Sequence, residues 1–287
     1  MTSAAPPELF DRDLIALRLG RRGGRGDFVT TLVLADLEER LLAVSRAFGK
    51  AAILAPNAAL MPRAAATGGG PVAFERYSTL TDGPDGRIDA KRLALPEDGY
   101  DLVVSILDLQ AVNDVPGYLA RVRRHLVADG LFVAAALGGA TLSELRQAVL
   151  VADARIWGGA TARVPPFIEV RDAGGLLQRA GFALPVVDRE RHVVRYDSAL
   201  ALMAEVKALG AANPLADRPP RPVTRGWLTA VEAAYRDIAG DADGRVRATL
   251  EIVWLSGWVP DPTQQKPLAP GSAKVNLRDV LKDKSRP

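Results

Sequence analysis

Apolar runs of strand length alternate with amphipathic segments of helix length along the first two thirds of the chain. The clearest run is Asp101 to Leu107, whose nearly continuous apolar character is typical of a strand that is covered on both faces. Parallel strands need a long crossover between them, and that crossover is usually a helix. The alternation therefore predicts βαβ units around a mostly parallel sheet, that is, an α/β fold.

Capping residues and glycines set the predicted ends of the helices. The helices are predicted to begin at Asp27 (ending at Gly49), at Asp114, at a capping box made by Thr141 and Glu144 (running toward Trp157), at about Asp172 (ending at Gly181), at Ser198 (ending at Gly210) and at Thr224. The predicted strands are Ala51–Ala55, Val72–Phe74 ending at Glu75, Asp101–Leu107, Leu131–Leu137, Phe182–Val187, His192–Tyr196 and Thr249–Val259. A short helix and a loop are expected from Pro56 to Gly70, and a charged turn is expected from Asp188 to Arg191.

The segmentation predicts one domain with two flanking segments. Residues 1–27 form an N-terminal basic arm, residues 28–260 form the domain, and residues 261–287 form a tail that is poor in core residues. Within the domain, residues 197–247 are interpreted as a helical insertion or lid. The arginines and glycines of the arm are read as a solvated loop in preference to a nucleic-acid-binding element, because aspartates stand among them.

Composition excludes several kinds of chemistry. Zero cysteines among 287 residues leave no disulfide, no thiolate metal site and no cysteine nucleophile. Only His125 and His192 are available as histidine ligands, and both are read as structural, so no metal site is expected. The charge of +3 gives no argument for nucleic acid. With no apolar run near the roughly 18 residues of a membrane span, and no secretory signal pattern, we expect a cytoplasmic protein.

Candidate ligand positions follow from the sheet, because cofactors of parallel sheets bind outside the carboxyl ends of the strands, at the topological switch point. The residues predicted to bind a cofactor at these ends are Leu54, Ala55, Asn57, Glu75, Arg76, Ser105 and Leu107. Glu75 is a candidate ligand for the two hydroxyls of an adenosine ribose, since a carboxylate accepts both hydrogen bonds. The alternative interpretation of Glu75 is an exposed charge at a strand end. No catalytic residue is assigned.

The run from Tyr100 to Asp114 is followed by Leu119, Arg123 and Leu126 at helical spacing and then by Asp129-Gly130-Leu131-Phe132. Together these segments resemble the fourth strand, its helix and the fifth strand of class I S-adenosylmethionine-dependent methyltransferases. The resemblance implies a Rossmann-like class I methyltransferase fold, with a mostly parallel seven-stranded sheet, helices on both faces and a C-terminal helical insertion before the last strand. It also implies S-adenosylmethionine as the cofactor.

Other segments are similar to one branch of that superfamily. They are Phe10–Arg12, Gly138–Arg146, Val170–Asp172 with Ala180–Pro185, Glu251–Trp258, Gln264–Pro267 and Pro270–Ala273. The branch contains bacterial relatives of a mitochondrial complex I assembly factor that hydroxylates an arginine, beside malonyl-carrier-protein methyltransferases. The resemblance implies a small-molecule or protein acceptor, and a protein partner in respiratory complex assembly as one alternative.

The chain departs from the family after the first strand. The family follows this strand with an acidic residue and a glycine-rich turn, which lets the backbone approach the cofactor. This chain has Pro56-Asn57-Ala58-Ala59 there, with no glycine, and Pro56 lacks a backbone donor. Three hypotheses follow: a methyltransferase with a divergent cofactor turn, an assembly-factor or hydroxylase relative, and a non-catalytic interaction module. Trp227 and Tyr235 are candidates for an acceptor pocket, although their helical spacing also suits a core.

Overall fold

The computed structural model describes residues 8–22 and 25–264. Its strands are β1 (Ala51–Ala55), β2 (Ala64–Thr67), β3 (Gly70–Ser78), β4 (Tyr100–Ile106), β5 (Leu126–Leu137), β6 (Ala183–Tyr196) and β7 (Val246–Trp258). Its helices are α1 (Arg12–Arg22), α2 (Phe28–Leu42), α3 (Val115–His125), α4 (Ser143–Trp157), α5 (Val170–Arg179), α6 (Ala199–Ala208) and α7 (Arg225–Ala239). The segments Gln264–Pro267 and Pro270–Ala273 lie wholly or almost wholly outside the described residues.

The seven strands form one sheet in the order β2-β3-β1-β4-β5-β7-β6. Strands β3, β1, β4 and β5 are parallel neighbours, whereas β7 runs antiparallel to both β5 and β6, and β2 runs antiparallel to β3. The expected mostly parallel seven-stranded α/β sheet is confirmed. The predicted helical insertion is confirmed as well, because α6 and α7 lie between β6 and the last strand, β7.

Strands β1 and β4 are apolar because helices cover both faces of the sheet. On one face, Tyr118 and Leu119 of α3 and Leu177 of α5 pack over the sheet. On the other face, Leu37 and Leu41 of α2 do the same. A third cluster joins α4, α6 and α7 to the start of β7 and surrounds the buried Trp227 and Tyr235. Both residues are therefore part of the core, and Trp227 also lines the cavity described below.

Four predicted helix caps are confirmed. Each capping side chain accepts a hydrogen bond from a backbone N–H in the first turn, at Asp27 of α2, Asp114 of α3, Ser198 of α6 and Thr224 of α7. The helix after Asp27 ends at Leu42, however, and not at Gly49. The chain from there to β1 is irregular.

The predicted capping box at Thr141 and Glu144 is wrong. The hydroxyl of Thr141 donates to the carbonyl of Glu251, and the carboxylate of Glu144 accepts from the backbone and hydroxyl of Thr249. Both side chains are thus occupied by β7. Leu142, in the left-handed region at φ 54°, stands at the start of α4 without a side-chain cap.

The predicted charged turn from Asp188 to Arg191 is also wrong, because β6 continues through it as one strand of 14 residues. Successive side chains of a strand point to opposite faces, and the charges here follow that rule. Asp188 and Glu190 both bind Arg40 of α2, while Arg191 binds the buried Glu251 of β7. The charged run is a strand because each face offers its charges a partner.

The connection from β1 to β3 carries the largest departure from expectation. Residues Pro56 to Gly69 form a 3-10 turn at Ala58–Leu60 and the strand β2, with no α-helix. Strand β3 was predicted to end at Glu75 but continues to Ser78. The hairpin turn fits closely against the chain after α2, since a Cβ added at Gly68 would lie 2.7 Å from the carbonyl oxygen of Leu42.

The N-terminal arm was expected to be a solvated loop, but residues Arg12–Arg22 form helix α1, which contains no buried residue. Arginines attach it to neighbouring segments. Arg12 donates to the carbonyl of Ala111 at 2.7 Å, and Arg18 donates to the carbonyls of Ala212 and Asn213. The helix is therefore held by polar contacts from its first residue and from its middle.

Replacing Gly69 with alanine tests the role of the hairpin turn. A Cβ there would overlap the backbone between Arg46 and Ala47, so we expect Gly69→Ala to lower the free energy of unfolding by about 1 to 3 kcal/mol. Gly226→Ala is the control, because nothing lies near that position and it is helical; there we expect no loss and up to about 1 kcal/mol of gain. Urea unfolding at 25 °C measures both, and equal stabilities of the two variants would contradict the close packing.

Candidate active site

A cavity of about 420 Å³ opens at the carboxyl ends of β1 and β4. Strand β1 lies between β3 and β4, so the chain leaves it toward one side of the sheet and returns on the other. This is the topological switch point, where open α/β sheets bind ligands. The walls are mostly apolar and come from α1, α2, α4, α6 and α7 as well as from the sheet. Residues that line it near the sheet include Ala55, Pro56, Asn57, Leu80, Ile106, Leu107, Gln110 and Ala111.

The structure brings together three of the seven residues predicted to bind a cofactor. Ala55, Asn57 and Leu107 line the cavity. Leu54 and Ser105 are fully buried inside their strands, and the hydroxyl of Ser105 lies 3.1 Å from the hydroxyl of Tyr118. These two residues support the sheet beneath the cavity without lining it.

Glu75 lies away from the cavity. It pairs in register with Ala52, three residues before β3 ends. Its carboxylate accepts hydrogen bonds from the hydroxyls of Tyr77 and Tyr100. Burial, followed by the hydrogen bond to Glu75, raises the pKa of Tyr77 to about 12 and raises that of Tyr100 further. Arg76 is likewise engaged elsewhere, with Asp85.

Protein groups already occupy most of the polar atoms of the turn after β1. Pro56 has no N–H, the N–H of Ala58 donates to the hydroxyl of Ser78 at 2.8 Å, and the N–H of Ala59 donates to the side chain of Asn57. Just after β3, Thr79 donates from its backbone to the carbonyl of Ala55. The turn therefore presents no row of free backbone donors to a ligand.

A buried carboxylate follows β4. Asp108 is fully buried, and its Oδ1 accepts from the hydroxyl of Thr79 at 2.7 Å and lies 3.6 Å from the guanidinium of Arg12. Burial raises the pKa of Asp108, and the charge of Arg12 opposes that shift. Its Oδ2 has no hydrogen-bond partner among the described residues. In the sequence, the signal for Asp108 is an acidic residue directly after the predicted strand Asp101–Leu107.

Two leucines at the cavity adopt backbone conformations that are uncommon for residues with a side chain. Leu107 at φ 52° and Leu142 at φ 54° both line the cavity. The left-handed region costs an L-residue roughly 1 to 2 kcal/mol, and such strain clusters at ligand sites. Sequence patterns do not reveal it, because leucine has no preference for this region.

Polar groups stand at separate points of the otherwise apolar wall. Arg22 and Asp27 form an ion pair at 2.5 Å, and both line the cavity. Gln110 also lines it; its amide nitrogen donates to the carbonyl of Leu107, while its Oε1 is buried and has no partner among the described residues. Arg163 and Trp227 line the opposite end.

Comparisons with known proteins agree with this architecture. The chain is 36% identical over 194 residues to "Arginine-hydroxylase NDUFAF5, mitochondrial" of Danio rerio, covering 68% of this chain and 60% of that protein. It is 41% identical over 193 residues to "Malonyl-[acyl-carrier protein] O-methyltransferase" of Laribacter hongkongensis, covering 67% and 60%. The matches thus span less than two thirds of these relatives' own length. No family model matches the chain.

Among solved structures, the chain is similar to phosphoethanolamine N-methyltransferase 2 of Haemonchus contortus, with 12% identity, a TM-score of 0.44 and coverage of 86% of this chain and 57% of that one. The strand order with its reversed β7 and the crevice at the switch point define a methyltransferase-like α/β fold. In sequence, the chain is related to the proteins named arginine-hydroxylase and malonyl-[acyl-carrier protein] O-methyltransferase.

Within residues 8–22 and 25–264, every helix is too short or too polar to cross a lipid bilayer. Over the same residues, no three histidine or acidic side chains come together as a metal site would require.

Removing the cation beside Asp108 tests the buried pair. We expect Arg12→Gln to lower the free energy of unfolding by about 3 kcal/mol at neutral pH, because one buried charge would then lack its partner. The pKa of Asp108 is already raised in the fold, so its ionisation costs stability as pH rises, and losing Arg12 enlarges this cost. The loss should therefore be greater at pH 8 than at pH 5.

Arg21→Gln is the matched control, since it removes a charge from an exposed position of the same helix. Denaturant unfolding at both pH values measures the two variants. A similar loss in both, or a loss from Arg12→Gln that shrinks as pH rises, would show that Asp108 does not depend on Arg12.

Proposed function

We propose that the cavity at the carboxyl ends of β1 and β4 binds S-adenosylmethionine and serves the transfer of its methyl group to an acceptor. The observation that carries this proposal is the position of the cavity, at the switch point of a sheet with a methyltransferase-like fold. Its volume also lies within the range of about 300 to 1,000 Å³ that small-molecule sites occupy.

The two ends of the cofactor differ chemically, and the cavity offers partners for both. The amino-acid end is a zwitterion, which suits the opposite charges of Arg22 and Asp27. The adenosine end carries N–H and O–H donors, which suit the unpartnered Oε1 of Gln110. Ala55, Asn57 and Leu107 would contact the cofactor between these ends, as the sequence proposes.

The turn after β1 does not fit the cofactor in the manner usual for the superfamily. Pro56 has no N–H, those of Ala58 and Ala59 are already bonded within the protein, and no α-helix follows the turn. We therefore expect binding to depend on side chains of the cavity wall. The affinity should accordingly be lower than that of a site that has both sets of contacts.

Bound S-adenosylmethionine supplies a methyl group on a positively charged sulfur, and the sulfur retains the bonding electron pair when the methyl group leaves. The chain's own contribution is positioning and exclusion of water. Leu145, Val149 and Val206 provide apolar walls, and an acceptor held in line with the sulfur needs no strong base. No residue is assigned as a proton acceptor.

Calorimetry and thermal unfolding with S-adenosylmethionine and S-adenosylhomocysteine test this proposal. At a ligand concentration 100 times the dissociation constant, the fold should gain about 2.7 kcal/mol. Gln110→Leu should weaken binding about tenfold, because the variant loses the acceptor. Glu75→Gln should leave the affinity unchanged if its carboxylate serves only Tyr77 and Tyr100.

Absence of binding at millimolar cofactor would reject the proposal and favour the third hypothesis, a non-catalytic interaction module. Weaker binding by Glu75→Gln with intact folding would instead restore the ribose role predicted from the sequence. Circular dichroism of each variant separates loss of binding from loss of structure.

A second candidate function is a role in assembly of respiratory complex I through a protein partner. The similarity to the proteins named arginine-hydroxylase NDUFAF5 favours it. Deletion of the gene should then lower the amount of assembled complex I, measured by native electrophoresis. Restoration by the wild-type chain but not by Gln110→Leu would tie that role to the cavity, whereas normal complex I after deletion would reject it.

We also propose a cytoplasmic location. The absence of cysteine from all 287 residues is compatible with a reducing compartment. The relatives named NDUFAF5 are mitochondrial by their names. Cell fractionation with an antibody to this chain decides the location.

A further inference from the structure

One arginine at the far end of the cavity lies against a stacked pair of tryptophans. The guanidinium of Arg163 lies 5.0 Å from the ring centroid of Trp157 and 4.7 Å from that of Trp227. The two rings are themselves stacked, 5.9 Å apart and inclined by 18°. A guanidinium placed over aromatic faces in this way is fixed in orientation as well as stabilised.

A buried carboxylate anchors the same group. Asp153 is fully buried and accepts from Nε of Arg163 at 3.0 Å, from the hydroxyl of Thr161 at 2.6 Å and from Nε1 of Trp227 at 2.6 Å. Burial alone would raise the pKa of Asp153, but the hydrogen bonds from Thr161, Arg163 and Trp227 hold it below its ordinary value. The carboxylate is therefore ionised at neutral pH, and its charge balances that of Arg163.

One nitrogen of this arginine is left over. Nη2 of Arg163 is buried and has no hydrogen-bond partner among the described residues. An unsatisfied buried donor costs about 1 to 3 kcal/mol, and one at a ligand site is commonly satisfied by the ligand. Arg163 and Trp227 both line the cavity, and the wall beside them is formed by Val164, Phe167 and Leu202.

The charge balance selects the kind of ligand. If the ligand were a carboxylate, it and Asp153 would share the single positive charge of Arg163 in an apolar cavity. The ligand would then lose its hydration without gaining a counter-charge. An ammonium group has no acceptor, so it could not accept a hydrogen bond from Nη2 of Arg163, and both groups are positively charged. A neutral carbonyl oxygen accepts the hydrogen bond and adds no charge, so it meets the unpartnered N–H at the lowest cost.

We propose that this end of the cavity binds a neutral, largely aliphatic molecule whose carbonyl oxygen accepts a hydrogen bond from Arg163. The molecule is the acceptor, or the acceptor's acyl portion, in the proposed methyl transfer, and in this respect the inference rests on the proposed function. Binding at the Arg163 end requires no S-adenosylmethionine, so the two proposals fail separately.

Three ligands of equal chain length test the charge rule: octanamide, octanoate and octylamine, each titrated calorimetrically into the wild-type chain at pH 8 without cofactor. Octanamide should bind at least tenfold more tightly than either charged ligand. Octanoate binding as tightly as octanamide would overturn the inference, and so would absence of octanamide binding.

Asp153→Asn tests the cause of the preference. Without its counter-charge, Arg163 should favour an anion, so the ratio of the octanoate to the octanamide dissociation constant should fall at least tenfold. Asp237→Asn is the matched control, because it removes one negative charge from an exposed position on α7 and should leave the ratio unchanged. An unchanged ratio in folded Asp153→Asn would overturn the charge argument. If that variant does not fold, the wild-type series still decides the inference.

Discussion

The structure depends on one constraint, the burial of β1 and β4 on both faces of the sheet. Both strands consist mostly of buried apolar residues, and because they are parallel, both end at the same edge of the sheet. Polar groups near these strands must therefore collect at that edge or form closed networks within the fold. Asp108 with Arg12 and Thr79 is one such network, and the cavity lies beside it.

Local sequence signals were sufficient for β1, β4, β5 and β7 and for most helices. Aspartate, serine or threonine before an apolar helical pattern identified α2, α3, α6 and α7, because capping involves residues only two or three positions apart. The same signals failed where the capping side chain forms hydrogen bonds with a segment that is distant in sequence. Thr141 and Glu144 have the spacing of a capping box, yet β7 binds both, and no local pattern contains the position of Thr249 or Glu251.

The candidate site was predictable in place but only partly in composition. The switch-point rule located Ala55, Asn57 and Leu107, since it needs only strand ends. Glu75 was misplaced because the end of β3 depends on pairing with β1, which extends to Ser78. Arg22, Asp27 and Arg163 reach the cavity from elements far away in sequence. The first glycines after β1, Gly68 and Gly69, lie in the turn between β2 and β3. Their lack of a side chain allows close approach of the protein's own backbone, whereas the glycines usual in the superfamily allow close approach of a ligand.

Helix α1 is attached largely through arginine side chains that bind main-chain carbonyl oxygens, at Ala111, Ala212 and Asn213. A carbonyl oxygen is the same atom whatever side chain its residue carries. The loops that contain these carbonyl groups can therefore change their side chains during evolution without releasing the helix, provided that their length and path are kept. Insertions or deletions in these loops, and not point substitutions, are the changes that would uncouple α1 from the rest of the molecule.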